Sequence, residues 1–174
     1  MSERSIKVYP DKVLRKISKP VNKIDDTIQE LIKDMLDIIH GSTPGVGLAA
    51  VQIGVLKRVI TIDPSLGEDS SQILVLINPE IVEMEGTEIF EEGCLSVPQY
   101  FAEIERPEKI RVKAQDKEGN SIDFKTEGLL ARIIQHEVDH LNGKLFIDLM
   151  PRVKKDVFKR KWMKERQEEE VRKS

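Results

Sequence analysis

The sequence predicts an α+β fold: antiparallel β-sheets packed around one central helix, with a further helix toward each end of the chain. Three observations carry this. Apolar residues recur at helical spacing over residues 25–39 and again over 128–141. The stretch between them breaks into short runs rich in Val and Ile, and the second helical stretch bears two histidines one turn apart. At 174 residues the chain is long enough for one domain with a real core and too short for two comfortably, so residues 1–174 are read as one domain.

The first helix places Ile28, Leu31, Ile32, Met35, Leu36 and Ile39 on one face, with Asp25 or Asp26 as its cap and Gly41 and Pro44 ending it. His40 falls at its C-terminal end, where a partly charged imidazole complements the dipole, and is read as structural. "RVITID" and "ILVLINP" read as largely buried strands, while "FAEIE", "KIRVKA" and "SIDFKT" alternate; "DKEGN" joins the last two as a hairpin. "PSLGEDSSQ" is a polar loop. Helix returns over Gly128 to Leu141, with Gly143 as its stop, and a last helix starts after Pro151.

Composition narrows the function classes. A net charge of −3, from 28 basic and 31 acidic residues, gives no global field that points to DNA or a membrane. The N-terminal residues lack a signal-peptide apolar run, no segment has the apolar length of a span, and the single cysteine, Cys94, suits a reducing compartment. The expectation is a cytoplasmic, monomeric protein.

His136-Glu137-Val138-Asp139-His140 fits H-E-x-x-H, in which residues four apart on a helix reach one ion. The bland alternative is a polar helix whose histidines happen to fall at this spacing. Glu137 is turned about 100° from His136, better placed to act on a bound water than to chelate. A catalytic site needs a third protein ligand and an open position. Position 146 is Phe146 and no histidine follows His140, which removes one protease pattern; Glu165, in a highly charged terminal segment, is a poor but open alternative. Cys94 in "EEGCLSVP" is either a small buried hydrophobe or, in a strand-edge or turn context, the thiolate that completes the set. In "GVGLAAVQ", Gly45 and Gly47 permit a peptide to pass close along a strand edge, and Gln52 is a neutral donor for a developing oxyanion. That stretch is no dinucleotide fingerprint: no strand before it or helix after it is apparent.

"GVGLAAVQ", "EGCLS" and "QHEVDHLNG", in this order, resemble the three signature motifs of peptide deformylases, and the likeness extends through "DKVLRKISKPV", "INPEI", "EGLLARIIQHE" and "GKLFIDLM". The resemblance implies removal of the formyl group from N-formylmethionine on new polypeptides, and a compact α+β fold with the motif helix packed against antiparallel sheets. It implies one metal per chain on Cys94, His136 and His140, physiologically Fe2+, with Zn2+ or Ni2+ as substitutes. Glu137 is then the general base and acid, and Gln52 with the Leu95 backbone N–H holds the oxyanion. The peptide would add as a strand beside Val46 and Gly47 with Gly93 nearby, its methionine against Val46, Leu129, Ile133 and the His136 ring. Val51 stands where many members have proline, and "QYFAEIERP" varies in the family.

Residues 151–174 hold ten basic and five acidic residues, a net of +5 that leaves −8 on the remainder of the −3 chain. They read first as a solvated basic helix docked by Val153, Val157, Phe158 and Trp162, and second as a contact for the ribosome, which the resemblance allows. Two other functions compete. An internal zinc peptidase predicts a downstream third ligand and tolerance of Cys94→Ser. A metal-stabilised, ribosome-associated binding protein predicts a fourth protein ligand.

Overall fold

The computed structural model describes residues 4–42 and 44–174. Helix α1 (Asp26–Ile39) starts where expected, because the Asp25 carboxylate accepts the Ile28 N–H at 3.2 Å. Its buried stripe of Ile28, Leu31, Ile32, Met35 and Ile39 lies against one face of a five-stranded antiparallel sheet. The strands are β1 (Gly47–Ala49), β2 (Val59–Ile62), β3 (Leu74–Glu85), β6 (Lys109–Gln115) and β7 (Ser121–Glu127), in spatial order β1-β2-β3-β6-β7. Helix α2 (Gly128–Leu141) covers the other face. Alternation sorts the strands between the helices: Val59, Val75 and Ile77 pack with α1, whereas Ile60, Ile62 and Leu76 pack with α2. All four residues of β2 are therefore buried.

Strands β4 (Glu88–Cys94) and β5 (Val97–Arg106) form a separate antiparallel hairpin. It packs through Val97 and Ile104 onto a third apolar cluster with Leu14, Phe146, Met150 and Phe158, which includes no residue of α2. Helix α3 (Arg152–Lys173) completes this side.

The differences from the sequence reading are local. Strand β4 was not anticipated, and β5 begins four residues before "FAEIE". The "GVGLAAVQ" stretch does contain a short edge strand followed by a 3-10 turn, Ala50–Ile53, so its chain context is more ordered than expected. On α3, Phe158 is buried and Trp162 half-buried, but Val153 is 75% and Val157 50% exposed: the aromatic residues dock the helix and the valines do not. His40 is structural, its Nε2 lying 2.6 Å from the buried Asp63 carboxylate. No helix among the described residues is long and apolar enough to cross a membrane.

Candidate metal centre

Helix α2 owes its position to Ala131, Ile133, Ile134, Val138 and Leu141, which bury one face in the sheet. The cap after it is a Schellman turn: the Lys144 N–H bonds the Asp139 carbonyl and the Gly143 N–H the His140 carbonyl, with Gly143 at φ 73°. A side chain at 143 would meet the Arg15 carbonyl at 2.6 Å, so glycine is required there twice over. His136 and His140 thereby share a buried face, ring centroids 5.0 Å apart and planes at 67°.

Cys94 ends β4 facing this pair, its Sγ 3.3 Å from His140 Nε2. Ligand atoms of Cys94, His136 and His140 all lie within 4.8 Å of one another, and this is the one such His/Cys/Asp/Glu group among the described residues. Bonds of about 2.0–2.3 Å to a tetrahedral ion would set its ligands roughly 3.3–3.8 Å apart, so modest closure suits a single metal. Glu165 belongs to no such group, because α3 carries it to an outer groove beside Tyr100 and Trp162.

The second layer was not legible as a site. His136 Nδ1 lies 2.8 Å from Glu92 Oε1, which assigns the N–H to Nδ1 and leaves Nε2 for the cluster. Arg106 grips the same carboxylate with Nε (2.6 Å) and Nη2 (3.0 Å), and donates through Nη1 to Asp139 at 2.8 Å. Burial works to raise Glu92, yet the bonds from His136 and Arg106 outweigh it and bring its pKa down to about 2. One signal could have found Glu92: it is a carboxylate two residues before Cys94, close enough along the chain to reach the same centre.

The remaining candidates divide clearly. Gln52 is buried; its Oε1 accepts the Ala49 N–H (2.9 Å), while Nε2 donates to Ser96 Oγ (3.0 Å) and points at Cys94 Sγ (3.4 Å). Glu137 faces the edge strand: its Oε1 and the Ile133 Cγ2 are each 3.0 Å from where a Gly47 Cβ would sit. Its Oε2 is buried with no hydrogen-bond partner. The Leu95 side chain rests on Gly45, 2.9 Å from the Cβ position there, and the Phe101 ring covers Gly93. Val46 is 37% exposed beside Gly47. Leu129 is 57% exposed at the open start of α2, unlike buried Ile133. Apolar spacing groups both with the buried face, and the structure separates them.

Burial pushes the Glu137 carboxyl up to about 7, against the pull of His136 and Arg106. Burial also opposes charge on His136, but hydrogen bonds with Cys94 and Glu92 prevail and hold its pKa well above the usual value. Burial and the neighbouring His136 charge push His140 well below it. A metal bound here would take the place of protons on these ligand atoms. Two imidazoles, a thiol and an unpartnered buried carboxylate oxygen are a donor set that fits a borderline-soft divalent ion.

The class of protein defined by this scaffold and centre is a metal-dependent hydrolase. A profile described as polypeptide deformylase matches residues 3–156. Curated peptide deformylases of Bartonella henselae and Pseudomonas aeruginosa are each 44% identical to the chain and cover 97% of it, over 96% and 99% of their own lengths. The crystal structure of a peptide deformylase from Legionella pneumophila superposes with a TM-score of 0.87 at 45% identity, over 97% of this chain and 98% of that one. One from Synechococcus elongatus, in complex with actinonin, gives 0.84 at 40% identity, over 89% and 84%.

The chain belongs to the polypeptide deformylase family. It is a metal-dependent enzyme that removes the N-terminal formyl group from formylmethionyl peptides.

Proposed function

We propose that Cys94, His136 and His140 hold the metal of this deformylase, that Glu137 moves the protons of the reaction, and that Gln52 with the Leu95 N–H steadies the charge on oxygen. The observation that carries the reading is the convergence of the three ligand atoms beside a buried carboxylate that faces a strand edge. When bound, the ion acts as a Lewis acid that acidifies water and polarises the formyl oxygen.

The residues of the chain do the rest. Glu137, with a pKa near neutrality, accepts the proton of the attacking water and delivers it to the amine nitrogen as the C–N bond breaks. Formate and a peptide with a free N-terminal methionine leave. Gln52 is fixed by its Oε1 bond to Ala49, so its Nε2 is aimed before substrate arrives, and it donates to the oxygen that gains charge. The peptide lies as an added strand on β1 at Val46 and Gly47, with Gly93 opposite. Its methionine meets Val46, Ile133, Leu129 and the His136 ring.

The physiological ion is Fe2+, one per chain, with Zn2+ or Ni2+ able to replace it; a thiolate beside ferrous iron also makes the site sensitive to oxygen. The expected result is rapid loss of activity in air for iron-loaded protein and slower loss with nickel, and identical decay of both forms would count against iron. The chain works as a monomeric single domain in the cytoplasm, and the basic residues of α3 contact the ribosome; replacing the exposed Lys159, Arg160, Lys161 and Lys164 with serine is expected to weaken co-sedimentation with ribosomes while sparing activity on free peptides. The primary test uses anaerobically purified protein. Formate release from a formylmethionyl peptide without backbone cleavage supports the reading, whereas cleavage inside the peptide would favour an internal peptidase.

A further inference from the structure

Helix α2 and the β4–β5 hairpin belong to different apolar clusters, yet the centre needs histidines from one and a cysteine from the other. Much of their joint is polar. Besides Glu92 and Arg106 it contains Arg132, a residue of α2 that is only 5% exposed. Arg132 Nη1 donates to Glu92 Oε2 at 2.6 Å and to the Ile104 carbonyl at 2.9 Å, and Nη2 donates to the Glu88 carbonyl at 2.7 Å. One side chain thus holds a carboxylate on β4, the backbone of β4 and the backbone of β5. Its guanidinium carbon lies 5.8 Å from the centre of the Phe90 ring.

We propose that Arg132 is a positioning residue for the metal centre, fixing the hairpin that carries Cys94 against the helix that carries both histidines. The inference rests on the ligand assignment above and deepens it. Arg132 stands four residues before His136 and so shares its helical face. Glu92 receives Arg132 on Oε2 and His136 on Oε1, so the guanidinium anchors the carboxylate that orients the imidazole. Arg106, on β5, also keeps Glu92 paired and reaches α2 through its 2.8 Å bond to Asp139, but it touches no backbone of the hairpin from the helix side. Arg132 is the member of the carboxylate clamp that reaches from α2 to both strands. A planar fork can serve three acceptors at once where a lysine ammonium, a compact charge on a flexible stem, cannot hold the same geometry.

The test compares wild type with Arg132→Leu and Arg132→Lys, each depleted of metal and loaded with cobalt(II). Chelator competition, the thiolate-to-cobalt absorption band, kcat, KM and thermal unfolding are measured. Both variants are expected to bind cobalt about 10–100-fold more weakly, the usual range for loss of an outer partner of a metal ligand. Their absorption band should weaken or shift, and kcat should fall while KM changes little. Should Arg132→Leu fail to fold, Arg132→Lys keeps a cation beside Glu92 and carries the same test. A lower melting temperature with wild-type cobalt affinity and an unchanged band would overturn the proposal and leave Arg132 a merely structural residue. A wild-type protein with no thiolate band would overturn the ligand assignment itself, and this inference with it.

Discussion

Helices α2 and α3 come from the same chain and were both expected from its pattern, but they are built on opposite terms. Ten of the 14 residues of α2 are buried, among them Arg132, Gln135, His136, Glu137 and His140. Of the 22 residues of α3 one is buried, Phe158, which meets Tyr100 at 4.4 Å, Trp162 at 5.4 Å and Tyr9 at 5.8 Å. Trp162 Nε1 and Arg166 Nη1 both donate to the Tyr9 carbonyl, at 3.1 and 3.0 Å, and residues beyond are exposed. A helix that carries chemistry is held inside the fold by paired side chains such as Arg132, Gln135 and His136, and leaves the Glu137 Oε2 without a partner. A helix held at one aromatic anchor leaves its charges to solvent or to a partner.

The largest expected effect lies in α2. Glu137→Gln should retain metal, measured as bound ion per chain, and lose roughly 10²–10⁴-fold in kcat. A metal-replete variant with wild-type turnover would remove the base from Glu137. Next, Phe158→Ala should cost about 3–5 kcal/mol in denaturant unfolding, because it empties the one anchor of α3. Metal affinity measured on the folded fraction should stay unchanged; a parallel loss would mean that the two helices are coupled after all.

A third region is ordered without an apolar stripe. The Asp63 carboxylate accepts the Ser65 N–H and hydroxyl and the Gly67 N–H, and it faces His40. Burial works to raise its pKa, but these bonds hold it below the usual 3.8. Its stabilising contribution is present above that unfolded value and is lost as pH falls through the lower folded one. Asp63→Ala should therefore cost about 1–3 kcal/mol near pH 6 and flatten the acid limb of the stability curve below pH 3.8. An acid limb unchanged in the variant would sink this account. The smallest effect belongs to Val153→Ser on the exposed side of α3, within about 0.5 kcal/mol of wild type by the same unfolding measurement.

The legibility of the sequence followed the same divide. Helix α2 was readable to its ends because apolar period, histidine spacing and Gly143 agree. Strand β4 was not, because "EIFEEGC" places a buried carboxylate, Glu92, on the face where apolar residues would have signalled a strand, and leaves Phe90 52% exposed. A buried charge becomes intelligible only with its partners, and Arg106 and Arg132 lie 14 and 40 residues away. The valines of α3 misled for the opposite reason. Val153 and Val157 have the right period for docking, but the partner surface is aromatic and meets the helix one residue further round, at Phe158 and Trp162.

The polar joint between the hairpin and α2 also bears on how the molecule ages. Local opening is cheapest where few buried apolar contacts hold a segment, so β4 is expected to part from α2 before the sheet opens. Such an opening would release the ion without melting the fold, and a chain of native shape would be idle. Amide exchange should then be faster in β4 than in β2, and the half-life of activity on warming should track hairpin opening rather than global unfolding.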